Sequence, residues 1–97
     1  MVVPVELKQK YLSRRIQDLV RLKEALTRND YQPALRLGHQ VKGNADTFEF
    51  PDMASIGLEL EDAAKREDKE TLMSLVLKME SAISKAQNIF RRAEKQS

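Results

Sequence analysis

Cysteine and tryptophan are absent from the 97 residues, histidine occurs once, and glycine and proline number three each. Without cysteine there is no disulfide framework, thiol nucleophile or zinc–thiolate site, a usage that fits a reducing compartment. One histidine with no H-E-x-x-H pattern leaves only scattered carboxylates, so no metal site is expected. No run of about 18 apolar residues is present, and the start, Met1 to Glu6, has neither a basic n-region nor a long apolar core. The chain is therefore expected to be cytoplasmic, with no membrane contact. Seventeen basic and fifteen acidic residues leave a net charge of +2, and the two signs interleave instead of forming a basic arm, which argues against nucleic-acid binding. The length suits one domain, residues 1–97, and is too short to add a nucleotide-binding catalytic domain. Any chemistry that consumes ATP is expected to come from elsewhere.

Scarce proline, the lack of Asn-Gly and Asp-Gly pairs, and apolar residues recurring every three to four positions predict helices throughout. A first helix starts near Pro4, carries Leu12, Ile16, Leu19, Leu22 and Leu26 on its inner face, and stops near Asn29. Asp30 is the candidate N-cap of a second, running to about Thr47 with Leu37, Val41, Ala45 and Phe48 inward. Pro51 disfavours helix at Phe50, so the chain turns there before a third helix from Pro51 to about Lys65, lined by Met53, Ile56, Gly57, Leu60 and Ala64. Asp68 can cap a fourth, whose seam is Leu72, Val76, Met79, Ile83, Ala86 and Phe90. Met53, Met73 and Met79 read as packing, Arg14-Arg15 and Arg91-Arg92 as solvated faces, and Arg91 to Ser97 as a fraying polar tail. The fold class is all-α, an antiparallel, up-down-up-down four-helix bundle.

The lone histidine sits in Gly38-His39-Gln40-Val41-Lys42-Gly43. At about 100° per residue, Val41, Phe48 and Leu37 lie roughly 160–200° from His39, whereas Leu35, Lys42, Gly43 and Asp46 fall within about 60° of it. The imidazole therefore faces solvent, amid a patch with one apolar member and one cation. A neutral imidazole offers a nucleophilic nitrogen near neutral pH without an activating triad, and can accept a phosphoryl group. An ammonium about 4 Å from the resulting anion contributes between about 1 kcal/mol in bulk water and about 4 kcal/mol at an effective dielectric of 20, modest holding that suits a carrier. Each glycine falls inside a predicted helix at a cost of about 1 kcal/mol relative to alanine. Gly38 and Gly57 lean toward the bundle, where a missing side chain permits close helix approach. Gly43 faces outward beside His39, where an incoming protein backbone would benefit.

Residues 38–43 carry H-x-x-K-G, and this segment resembles the histidine phosphotransfer domain of bacterial phosphorelays, in which that motif lies on the second helix of a four-helix bundle. Thr47-Phe48-Glu49-Phe50 is similar to the T-F-G-F of the phosphotransfer domain of chemotaxis histidine kinases, with Glu49 at the glycine; Asn44 and Asp46 stand where the family has small residues. The detailed match covers residues 38–61. The resemblance implies that His39 takes the phosphoryl group on Nε2, Lys42 helps hold it, and Gly43 clears room for a docking receiver domain, with Leu35, Gln40 and Asp46 in the contact surface. Glu61 stands where the chemotaxis branch has a glutamate on the other imidazole nitrogen; the alternative is one solvated acid among several in Glu59-Leu60-Glu61-Asp62. The resemblance further implies a phosphorelay intermediate without kinase activity, a monomer partnered by a receiver domain and a histidine kinase, with no cofactor of its own and Mg²⁺ on the partner. The competing function is a helical interaction module that binds a partner without chemistry.

Overall fold

The computed structural model describes residues 2–95. Among these, four helices and no strand are present: α1 (Val5–Thr27), α2 (Gln32–Asn44), α3 (Pro51–Lys65) and α4 (Lys69–Lys95). They form a four-helix bundle in which α2 packs most extensively on α3, α4 lies against α3 and α1, and α1 closes the ring on α2.

One contiguous core runs through the bundle, and Leu12, Leu22, Val41, Leu60, Leu72, Val76 and Met79 at its centre are fully buried. All five inward residues expected of α3 are buried, as are Leu72, Val76, Met79 and Ile83 of the α4 seam, with Ala86 and Phe90 partly so. Leu75 joins them, whereas Met73, read as packing, is exposed. On α1 the inner face keeps Leu12, Leu19, Leu22 and Leu26 and adds Tyr11 and Ala25, but Ile16 is 40% exposed and Arg15, 6% exposed, lies inside in its place. The steps from Leu12 through 15, 19, 22 and 26 alternate three and four, the regular helical stripe, whereas a stripe through 16 does not. Arg15 is tolerated inside because its Nε donates to Asp18 at 2.8 Å and its guanidinium lies 4.7 Å above the Tyr11 ring. The tail expected to fray from Arg91 is helical as far as Lys95; residues 96 and 97 lie outside the described residues.

The helix ends are built without glycine. Asn29 and Glu67, just past α1 and α3, take φ of 58° and 51°. Asn29 and Asp30 donate back to Leu26 and Ala25, and Glu67 and Asp68 to Ala64 and Ala63, the reciprocal pattern that satisfies the last carbonyls of a helix. Glu49 repeats it at φ 67°: the helix α2 ends at Asn44, short of Thr47, yet Glu49 and Phe50 donate to Asp46 and Ala45 and close the turn the same way. The Glu49 carboxylate compensates for its left-handed backbone by accepting from the Val3 N–H at 3.0 Å and from Lys8 Nζ at 2.9 Å. The Val3 amide, and after it Lys8, hold that carboxyl below its ordinary value. Phe48 stacks on Tyr11 at 4.4 Å between ring centroids, and Phe50 meets Phe90 edge-on at 6.5 Å, so the turn is packed on both sides. At the starts, the Asp30 carboxylate accepts from the Gln32 N–H, one residue ahead of the N-cap position held by Tyr31. Asp68 accepts from the backbone and hydroxyl of Thr71.

The three glycines are used elsewhere. A Cβ built on Gly38 would stand 2.5 Å from the Glu61 amide nitrogen and 2.8 Å from the Gly57 carbonyl oxygen, and one on Gly57 would stand 2.6 Å from the Lys42 amide nitrogen. Backbone touches backbone at this crossing, and no larger residue fits. Gly43 has nothing within 4 Å of the same position.

Gly57→Ala is accordingly expected to lose about 2 kcal/mol, overpacking of about 1–3 kcal/mol outweighing the helix-propensity gain of alanine. Glu67→Gly, which relieves a left-handed residue, should gain about 1 kcal/mol. Urea denaturation measures both, and a Gly57→Ala chain as stable as the parent would contradict the packing described.

Candidate functional site

The α2–α3 crossing determines what can meet above it. With Gly38 against the Glu61 backbone and Gly57 against that of Lys42, the outward residues of the two helices are brought side by side. His39 projects from α2 with 75% of its side chain exposed, and Glu61 rises beside it from α3, 12% exposed. Glu61 Oε2 lies 3.2 Å from His39 Nδ1. Lys42 Nζ, one turn along α2, reaches both carboxylate oxygens of Glu61 at 3.2 Å. Lys65, one turn along α3, brings its ammonium to 3.4 Å of Oε1. One carboxylate thus sits among an imidazole and two ammoniums.

Lys42 is the largest influence on Glu61 and holds its carboxyl below the ordinary value of 4.5, reinforced by His39 and Lys65 and opposed by partial burial. The folded chain favours the ionised acid, so its contribution to stability is full above the ordinary carboxylate range and is lost as pH falls through the lowered value. An ionised carboxylate only accepts hydrogen bonds, so Nδ1 must donate. In the neutral ring the lone pair then resides on Nε2, the nitrogen turned away from Glu61. Such a contact orients the ring and fixes its tautomer. The arrangement provides a nucleophilic nitrogen facing solvent, with a proton fixed on its opposite side.

The other residues of the expected patch divide. Gln40 and Gly43 are exposed on α2. Leu35, expected as the exposed apolar member, is half-buried and packs on the core, because its long side chain folds over the edge of the α2 stripe. Asp46 is exposed but lies in the turn beyond α2, its carbonyl engaged by the Glu49 N–H. Lys42 is held by Glu61 instead of Asp46. Asn44 points inward, where its Oδ1 accepts from the Tyr11 hydroxyl at 2.6 Å; burial pushes that phenol up, against the opposing pull of Arg15. An exposed apolar side chain does occur one turn before Glu61 on α3, at Leu58. Sequence reasoning omitted Lys65, although its position four residues after Glu61 is the spacing of a helical ion pair. No cluster of metal-ligating residues occurs among the described residues.

The sequence model of the Hpt domain family matches residues 6–91. No curated protein and no solved structure matches the chain.

At alkaline pH, where the ring is neutral, ¹⁵N NMR of His39 is expected to find the proton on Nδ1. In Glu61→Ala it should redistribute toward Nε2. A parent ring already protonated on Nε2 would mean that the Glu61 contact does not select the tautomer.

Proposed function

The chain belongs to the Hpt domain family, whose members carry phosphoryl groups on histidine in two-component signalling, without kinase activity, between histidine kinases and receiver domains, and we propose that in this chain the acceptor is His39. The observation that carries the reading is an exposed imidazole whose Nδ1 is held by a partly buried carboxylate. That contact leaves Nε2 as the nucleophile, and its exposure leaves room for a second protein to approach along the line of attack.

In the transfer, the Nε2 lone pair attacks the phosphorus of an aspartyl phosphate on a receiver domain. The N–P bond forms as the acyl O–P bond breaks, and the departing electron pair restores the aspartate carboxylate. Glu61 keeps the Nδ1 proton in place and offsets the positive charge that develops on the ring. Lys42 turns toward the phosphoryl oxygens, a modest exposed attraction that keeps the cargo transferable. The reverse sequence returns the group to an aspartate, and a histidine kinase supplies it from ATP by the same geometry. Mg²⁺ belongs to the partner, and this chain brings no cofactor. Gly43, open above, admits the partner's backbone, and exposed Gln40 and Asp46, half-buried Leu35 and exposed Leu58 border the contact.

The proposal extends to one carrier domain over residues 1–97, monomeric and cytoplasmic. Among the described residues no helix is long and apolar enough to cross a membrane, which is compatible with that setting. An up-down-up-down order belongs to the same reading: the contacts of Gly38 with Glu61 and of Gly57 with Lys42 run in opposite chain directions. Tyr11 near the start of α1 meets Asn44 at the end of α2, as an antiparallel pair requires.

His39→Gln is expected to take no acid-labile label from a phosphorylated receiver or kinase while keeping the helical circular dichroism of the parent; persistent label would refute the assignment. Gly43→Ala should fold at least as well as the parent, since alanine gains up to about 1 kcal/mol in a helix, yet slow transfer through its added methyl group. Transfer at the parental rate would remove Gly43 from the docking surface.

A further inference from the structure

With His39 as the acceptor, one charged group of the site still has no role. Lys65 places a second ammonium on Glu61, at 3.4 Å from Oε1, while Lys42 occupies both oxygens at 3.2 Å. Taken alone, an exposed lysine four residues from a glutamate contributes little. Here the shared carboxylate is largely withdrawn from water, and the ion with which Lys65 shares it must change partner during the reaction.

Lys42 cannot serve two anions fully at once. In the unphosphorylated chain its ammonium is committed to Glu61, and to reach a phosphoryl group on Nε2 it has to give up some or all of that contact. Were Lys42 the sole cation, its departure would leave a carboxylate 12% exposed facing a new dianion across one imidazole ring. Like charges so placed favour protonation of the acid or rotation away from the ring, and either would weaken the hold on the Nδ1 proton. Lys65 is already seated on the same carboxylate, and its side chain, 64% exposed, can follow small movements of Glu61. The other cation at this end of α3, Arg66, is engaged by Asp62 at 3.0 Å and Asp68 at 3.3 Å, so it does not substitute.

We propose that Lys65 is a positioning residue of the phosphotransfer site, a reserve counter-ion that keeps Glu61 ionised and seated on Nδ1 while Lys42 moves to the phosphoryl group. This rests on the assignment of His39 as the acceptor. The covalent step is unaltered: the N–P bond forms at Nε2, the acyl O–P bond of the donor breaks with its electron pair returning to the aspartate, and the Nδ1 proton stays between the ring and Glu61. Lys65 touches neither the ring nor the phosphoryl group, and acts through Glu61 alone.

The test measures how a phosphoryl group distributes at equilibrium between His39 and a receiver aspartate, for the parent chain, Lys65→Met, Lys65→Arg, Glu61→Gln and the Glu61→Gln/Lys65→Met double variant, with circular dichroism to verify folding. Lys65→Met, which keeps the length of the side chain, is expected to shift the distribution several-fold toward the receiver. Lys65→Arg should restore the parental distribution. In the Glu61→Gln background, Lys65→Met should have almost no further effect. A Lys65→Met chain that distributes as the parent does would overturn the proposal. An undiminished effect in the Glu61→Gln background would also overturn it, because the lysine would then act on the phosphoryl group directly. A parent chain that labels elsewhere than His39 refutes the acceptor assignment, a result that no comparison among the Lys65 variants can imitate.

Discussion

The contact of the α2 and α3 backbones at Gly38 and Gly57 is the constraint on which the site depends. Packed helices ordinarily lie 8–10 Å apart, and glycine at the crossing lets main chain approach main chain until a single Cβ would stand 2.5 Å from a backbone nitrogen. That closeness brings a carboxylate on α3 within hydrogen-bond reach of a solvent-facing imidazole on α2. Side chains of His39 and Glu61 carried on helices separated by a layer of leucines would each extend into water and meet, if at all, through solvent. The two glycines weaken their helices locally, by about 1 kcal/mol each relative to alanine, and the tight interface between α2 and α3 offsets the loss.

Above that crossing, the charges form a network centred on one acid. Glu61 is neither deeply buried, where an ion pair would have to overcome a large desolvation cost, nor fully solvated, where the pairing would be weak. It is held ionised by Lys42 first and by His39 and Lys65 in addition. A carboxylate in that state can do two things for the imidazole at once: fix which nitrogen carries the proton, and hold the plane of the ring. The nucleophilic nitrogen requires no deeper activation, and the open face on its other side suits a group that has to be delivered and collected by separate proteins.

Much of this was legible in the residues. The apolar periodicity located four helices, Pro51 the start of α3, and Asp68 the start of α4. Rotation about α2 points His39 outward and Gly38 inward, and the inward face of α3 includes Gly57. The misreadings have physical causes. The second helix is expected to run to about Thr47, but it ends at Asn44, because Glu49 takes the left-handed conformation and closes a turn there. Apolar periodicity points to Ile16 as core, whereas Arg15 occupies the inward position because Asp18 and Tyr11 satisfy it. Asn44 follows the same logic, since only the fold reveals the Tyr11 hydroxyl opposite it. The spacing of Lys65 from Glu61 is that of a helical ion pair, but the meeting of Lys42 and His39 with Glu61 joins two helices, and no spacing along the chain encodes the distance across them.

The most direct measurement is NMR of the phosphorylated chain, reading one-bond phosphorus–nitrogen coupling and the proton on the other ring nitrogen of His39. The account predicts coupling to Nε2 with a proton retained on Nδ1 and slow to exchange with water, its protection lost in Glu61→Ala. Coupling to Nδ1, or an Nδ1 proton that exchanges as fast in the parent as in that variant, would contradict it.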